Sequence, residues 1–239
     1  MDDSDPFASR LRQPTAARPL LGLTVLVVED SRFACEAMRL LCLRSGARIR
    51  RADCLKSARR HLQVYRPSAV IIDLGLPDGS GGDLIQELAE AMPRVGVILG
   101  TSGDEYGEEA ALSAGADGFL AKPITSLAGF QSAVLAHLPP ERQPVGPRIL
   151  SDEEIIPDPI AFQDDMALIA DVLTDTTDEQ MLDYVAQFAR GVARSAKDDA
   201  LAAAASALAR ARANGQPVAS NAAQIAGLVQ QRLQQRRAI

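Results

Sequence analysis

Ala69-Val-Ile-Ile-Asp73 is the stretch around which the chain is organised. Four apolar residues run into one carboxylate, and Leu74-Gly-Leu-Pro-Asp-Gly79 turns the chain directly afterwards. An apolar run this short, bounded by turn residues, reads as a strand buried on both faces of a parallel sheet. Asp73 then stands at the strand's carboxyl end, the edge at which open α/β sheets place their ligands. The same design recurs along the chain. Leu23-Thr-Val-Leu-Val-Val28 ends in Glu29-Asp30, Val95-Gly-Val-Ile-Leu-Gly100 in Thr101-Ser102, and Gly118-Phe-Leu-Ala121 in Lys122-Pro123. Arg48-Ile-Arg-Arg51 is short and polar, as an edge strand should be. Helix signals separate these runs. Ser31 caps the first, Ala34, Ala37, Met38 and Leu41 fall on one face, and Gly46 closes it. Further helices are expected at 54–65, 83–91, 105–114 and 126–138, the last with Leu127, Phe130, Val134 and Leu138 on one face. Strand and helix alternate five times in 117 residues. The fold class is therefore α/β, a five-stranded parallel sheet doubly wound by helices, because parallel strands need crossovers.

The flanks differ in texture. Residues 1–21 mix Asp, Arg, Pro and Ala without periodicity and read as a flexible lead-in. Pro139, Pro140, Pro144, Gly146 and Pro147 mark 139–150 as a stiff linker. From 151 to 239 there is no strand signal, and helices are expected at 161–173, 178–213 and 220–236. Four segments follow: the lead-in, an α/β domain over 22–138, the linker, and an all-α region. No apolar run approaches the roughly 18 residues that span a bilayer, and the acidic N-terminus does not resemble a secretory signal. Cys35, Cys42 and Cys54 fit no metal spacing and read as ordinary thiols, so a cytoplasmic protein is expected. The net charge of -6 excludes nucleic-acid binding by bulk electrostatics.

The strand ends carry the chemistry. In a parallel sheet Glu29, Asp30, Asp73, Thr101 and Lys122 all emerge on one edge. Three neighbouring carboxylates remain ionised together only around a cation, and an all-oxygen set of this kind suits Mg²⁺. Asp73 is then placed to attack phosphorus. The metal, the Lys122 ammonium and the Thr101 hydroxyl would each take one oxygen of the transferring phosphoryl group. The Lys122-Pro123 pair suggests a cis bond that aims Lys122 inward.

With these features the chain resembles the chemotaxis-regulator-like receiver domain of bacterial two-component response regulators, over residues 22–138. Five separated features carry the resemblance: the acidic pair Glu29-Asp30, Asp73-x-x-x-Pro77, Thr101-Ser102, Phe119 three residues before lysine, and Lys122-Pro123. The resemblance implies a flavodoxin-like fold. It implies that Asp73 is the phosphoacceptor for a sensor histidine kinase or phosphotransfer protein. Glu29 (through water), Asp30, Asp73 and the Gly75 carbonyl would hold Mg²⁺. Thr101, Ser102 and Lys122 would contact the phosphoryl group, with Thr101 and Phe119 as the switch. Catalysis beyond the domain's own phosphoryl transfer and dephosphorylation is not expected. Gly75 and Gly103 stand where the family tunes hydrolysis with larger side chains, so phosphate loss would be set by the shared site alone. Gly100 replaces a usual larger apolar residue and either leaves room for Phe119 or loosens its strand.

The remaining features leave the output open. Arg44, Arg48, Arg50, Arg51, Lys56, Arg59 and Arg60 form a basic run, read as a solvated edge or as a docking patch for an acidic partner. His61 and His137 read as plain surface residues, and no histidine follows 137, so the helical region is no histidine phosphotransfer module. Residues 151–199 carry 13 acids and 3 bases, whereas 206–239 carry five arginines and no acid. Leu182, Val185, Ala189, Val192 and Ala196, then Leu201, Ala205 and Leu208, form a seam with a stutter at 197–201. This favours output by homodimerisation or a helical protein partner, two chains pairing antiparallel with acidic segment beside basic tail. The alternative is DNA or RNA binding through the basic helix carrying Arg232, Arg236 and Arg237.

Overall fold

The structure, a computed structural model, describes residues 13–147, 150–175 and 179–235. Five strands, β1 (Thr24–Val28), β2 (Arg48–Ala52), β3 (Ala69–Asp73), β4 (Val97–Ser102) and β5 (Gly118–Ala121), form one parallel sheet in the order β2-β1-β3-β4-β5. Helices α1 (Arg32–Ser45), α2 (Leu55–Val64), α3 (Gly81–Glu90) and α4 (Gly107–Ser113) make the four crossovers, and α5 (Leu127–Ala136) follows the last strand. The strand alternation explains why the runs are apolar throughout. Val25, Val27, Ile71, Val97 and Leu99 join one core cluster with α1 and α5, while Leu26, Val28, Ile72 and Ile98 join a second with α2, α3 and α4. Fully burying such a side chain stabilises the fold by about 1.5–3 kcal/mol. The expected caps of α1 are in place: Ser31 Oγ accepts from the Ala34 N–H, and Gly46 ends the helix with φ 85°.

The segments outside the sheet differ from the compositional reading. Residues 1–12 of the expected lead-in lie outside the described residues, but its end belongs to the domain. Leu20 is fully buried in the first core, and its N–H donates to the Ser45 carbonyl at 2.9 Å. After α5 the chain makes a short turn, Pro140–Arg142, and then runs back along the domain. Ser126 and Glu154 form an antiparallel bridge, the Leu127 N–H donates to Glu153 O, and Ile155 is buried in the first core. This return brings the chain to the edge of the sheet where Lys122 stands.

The all-α region is a four-helix bundle: α6 (Pro159–Asp175), α7 (Glu179–Ser195), α8 (Asp199–Ala213) and α9 (Ala219–Gln235). It has its own core, including Met166, Ile169, Val185, Ala189, Val192, Leu201, Leu208, Ile225 and Val229. This corrects the expected single helix over 178–213. The stutter is a turn. Lys197 adopts φ 57° and Asp198 accepts from the Leu201 N–H, so α7 folds back on α8 and their apolar stripes meet within one chain. Charge complementarity is likewise satisfied inside the chain. Arg212 of α8 pairs with Asp183 of α7 at 2.9 Å, and Arg232 of α9 pairs with Asp198 at 2.8 Å. The seam expected to join two chains is therefore the interior of one. Arg236 and Arg237 lie outside the described residues.

Asp198 caps α8 and ties it to α9, so Asp198→Ala is expected to lower the unfolding free energy of the bundle by about 1–2 kcal/mol in urea denaturation. The Arg232 hydrogen bonds hold the Asp198 carboxyl below the usual carboxylate range. Its contribution is therefore complete above about pH 4 and is lost as the pH falls through the folded-state value. The difference between wild type and variant should shrink in acid.

Candidate functional site

The carboxyl ends of β1, β3 and β5 bring four charges into one buried cluster. Glu29, Asp73 and Lys122 are each less than a tenth exposed. Lys122 Nζ lies 3.0 Å from Asp73 Oδ2 and donates to it, and lies 2.7 Å from Glu29 Oε2, an ion-pair distance without hydrogen-bond geometry. Asp30 completes the group, and oxygens of Glu29, Asp30 and Asp73 lie within 4.8 Å of one another. The Lys122-Pro123 peptide is cis, as the pair suggested.

The electrostatics follow from burial. Burial and the charge of Asp73 hold Glu29 well above the usual carboxylate range against the opposing pull of Lys122. The same two causes push Asp30 up to about 7, opposed by Lys122 and by a hydrogen bond from Tyr184. Burial alone would lower Lys122, but Asp73 and Glu29 outweigh it and hold the ammonium well above the usual lysine range. The cluster has three acids to one base, and Asp30 Oδ1 is buried without a hydrogen-bond partner. An oxygen-only set with an unsatisfied buried carboxylate oxygen fits a hard divalent cation such as Mg²⁺. Gly75 is buried two residues beyond Asp73, in a two-residue antiparallel ladder with Ser80.

The remaining residues of the expected site are close by but engaged elsewhere. Thr101 Oγ1 donates to the Leu120 carbonyl at 2.8 Å, and Ser102 Oγ accepts from the Asp104 N–H. Phe119 packs under α4. A Cβ built on Gly100 would stand 2.5 Å from Ala111 Cβ and 3.4 Å from Phe119 Cδ2. Gly100 therefore makes room for Ala111 and for the Phe119 ring.

A second set of residues at the site comes from the helical bundle. The Tyr184 hydroxyl donates to Asp30 Oδ2 at 2.8 Å, and Arg190 pairs with Asp104 at 2.7 Å. A side chain on Gly75 would overlap the Gln187 carboxamide, and a Cβ on Gly103 would stand 3.0 Å from Arg194 Cγ. The two glycines read as vacancies in the sequence are thus contact points for α7. From α6, Asp165 accepts from Ser31 Oγ at 2.7 Å and from the Arg32 and Phe33 N–H groups at the start of α1. Tyr184, Gln187 and Arg194 were missed because the seam drew attention to the opposite face of α7. Their signal was the coincidence of Gly75 and Gly103 in one site.

Residues 25–132 match the family described as the response regulator receiver domain. The KDP operon transcriptional regulatory protein KdpE of Escherichia coli is 34% identical over 100 residues, which are 42% of this chain and 44% of KdpE. The chain thus spans less than half the length of the curated relatives it matches. Among solved structures, the response regulator receiver domain (CheY-like) of Methylobacillus flagellatus is 28% identical with a TM-score of 0.42, covering 47% of this chain and 98% of that one. The receiver domain of sensor histidine kinase PA1611 of Pseudomonas aeruginosa PAO1, solved with a coordinated magnesium ion, is 24% identical with a TM-score of 0.43, covering 48% and 96%.

Removing the only base from a buried cluster of three acids leaves uncompensated charge. Lys122→Ala is expected to cost about 3–5 kcal/mol of unfolding free energy in EDTA. Millimolar Mg²⁺ should recover part of that loss, because a cation bound only by the folded state stabilises it. Chemical denaturation with and without Mg²⁺ measures both. A loss that Mg²⁺ leaves unchanged would show that these carboxylates do not take the cation.

Proposed function

Because residues 25–132 are a response regulator receiver domain, we propose that the chain is a two-component response regulator that accepts a phosphoryl group on Asp73. The observation that carries this reading is the buried cluster of Lys122 with Asp73, Glu29 and Asp30 at the strand ends. The donor is a phosphohistidine on a sensor histidine kinase or phosphotransfer protein. As the donor's P–N bond breaks, its nitrogen keeps the electron pair, and an Asp73 carboxylate oxygen forms the new bond to phosphorus. Glu29, Asp30, Asp73 and the Gly75 carbonyl would hold Mg²⁺, which would supply positive charge against the phosphoryl oxygens. Lys122 neutralises a further oxygen. Thr101 leaves the Leu120 carbonyl to donate to another, and Phe119 follows it beneath α4. The chemistry of the chain is this transfer and the later hydrolysis of the Asp73 acyl phosphate by water, which releases phosphate and restores the carboxylate, and the chain works in the cytoplasm.

The output is protein association through the helical region. The relatives named as transcriptional regulators match only the receiver, so their output does not carry over. Arg212 and Arg232 are committed to ion pairs inside the bundle, which weighs against a nucleic-acid surface there. The bundle core also absorbs the seam that would have joined two chains, so the partner is a different protein rather than a second copy.

Incubation with a small phosphodonor and Mg²⁺ is expected to add one phosphoryl group, which EDTA and Asp73→Ala each abolish. Incorporation that survives Asp73→Ala would overturn the assignment. Thr101→Ala should retain incorporation but lose the conformational response. In sedimentation the unphosphorylated full chain is expected to be monomeric at tens of micromolar.

A further inference from the structure

One face of α7 crosses every strand end that carries the site. Tyr184, Gln187, Gly191 and Arg194 recur at spacings of three, four and three residues, a single stripe of a helix. Tyr184 reaches Asp30 after β1, Gln187 covers Gly75 after β3, and Arg194 covers Gly103 after β4. Gly191 lies over Lys122 after β5, where a Cβ would stand 3.7 Å from Nζ. Arg190, beside the stripe, pairs with Asp104. The bundle's own core uses mainly the other face, with Val185, Ala189 and Val192, and the Tyr184 ring packs at its margin against Phe188.

We propose that α7 is a built-in cap over Asp73, which keeps phosphodonors out while docked and is displaced when the phosphoryl group and its cation occupy the site. The proposal rests on the phosphoacceptor reading above. Three features support it. First, the reacting groups are covered: Asp73 is 7% exposed and Lys122 8%, with α7 on the solvent side, while a cleft lined by Glu29, Asp30 and Tyr184 stays open beside them. In-line attack requires the donor to approach Asp73 from that side, and α7 and a donor exclude each other there. Second, docking uses the same groups as the chemistry. Tyr184 holds an oxygen of Asp30, a carboxylate the cation needs, and Gly191 leaves little space above the Lys122 ammonium that must receive a phosphoryl oxygen. Third, release leaves both halves folded. The described core of the bundle contains no residue of the α/β domain, and the cores of that domain contain no residue of the four bundle helices. Among the described residues, the polar contacts that would break are Tyr184 with Asp30, Arg190 with Asp104, Arg32 with Asp164, and Asp165 at the start of α1; the close approaches of Gln187 to Gly75, Gly191 to Lys122 and Arg194 to Gly103, and the edge-to-face contact of Phe33 with Phe162, would break with them.

The test uses the full chain in two arms. In the first, hydrogen exchange of wild type is followed with and without beryllofluoride and Mg²⁺ as a phosphoryl mimic. Exchange at the start of α1 and along the receiver-facing side of α7 is expected to rise at least fivefold, while α8 and α9 stay protected. In the second, Asp165→Ala combined with Arg190→Ala loosens the docking without touching the acidic cluster. Incorporation from phosphoramidate at limiting donor is expected to be at least fivefold faster than in wild type, with helix content unchanged by circular dichroism. Unchanged exchange on binding of the mimic, or equal incorporation rates in variant and wild type, would overturn the cap while leaving Asp73 as the acceptor. Absence of incorporation in both proteins would overturn the acceptor reading and the cap with it.

Discussion

The structure turns on one buried ammonium shared by buried carboxylates. Lys122 sits between Asp73 and Glu29, with Asp30 alongside. Removing charges from water is costly unless each finds partners, and one lysine cannot serve three acids. The surplus acid is met in part by donors from nearby backbone and from a distant helix: the Ser31 N–H reaches Glu29 Oε1 at 3.2 Å, and the Tyr184 hydroxyl reaches Asp30. The electrostatic demand of the strand ends therefore reaches into the second half of the chain. The position of α7 follows partly from the charge imbalance of three acids around one base.

The route of the chain makes that arrangement cheap to reach. A helix ending at Ala136 leaves the chain at the far side of the domain from Lys122. Residues 151–158 correct this by running back beside the start of α5 and burying Ile155 in the sheet's core. Gln143 helps to start the return by donating to the Leu135 and Leu138 carbonyls at the end of α5. By Pro159 the chain is again at the strand-end edge, and α6 lies against α1 with Asp165 facing the free N–H groups of its first turn. A carboxylate at a helix N-terminus satisfies donors that have no intrahelical partner. Asp165 thus fixes the bundle by the same chemistry as an ordinary cap, supplied from 134 residues away.

Much of this was legible in the residues. The alternation of apolar runs and helix signals pointed to a parallel, doubly wound sheet with Arg48–Arg51 at its edge, because parallel strands need crossovers. Glu29, Asp30, Asp73 and Lys122 were legible because each closes a run, and strand ends meet at one edge. The second half resisted for physical reasons. The apolar positions around 178–213 keep helical spacing on both sides of Lys197, so periodicity alone could not separate a stutter from a reversal, and only the φ of 57° at Lys197 makes it a turn. Burial by alanine and valine likewise looks the same whether the facing stripe belongs to another chain or to the next helix. The orientation of Thr101 toward Leu120 was not legible either, since a hydroxyl beside several acceptors chooses by local geometry.

The glycines show how the two halves approach one another beside the Phe33–Phe162 contact. Gly75, Gly103 and Gly191 are points of close approach, two on the α/β domain and one on α7. Where side chains are absent, backbone and polar groups come within reach, and the contact gains specificity from fit. An interface of that kind holds a helix in register yet remains weaker than a core. The helix also keeps its two tasks on largely separate stripes, which meet at Tyr184, whose ring packs against Phe188 of the bundle core. Val185, Ala189 and Val192 hold it in the bundle, while Tyr184, Gln187, Gly191 and Arg194 meet the strand ends. Each stripe can therefore lose its partner while the other keeps the helix intact. That separation is the physical condition for a contact that opens as a rigid unit rather than by unfolding.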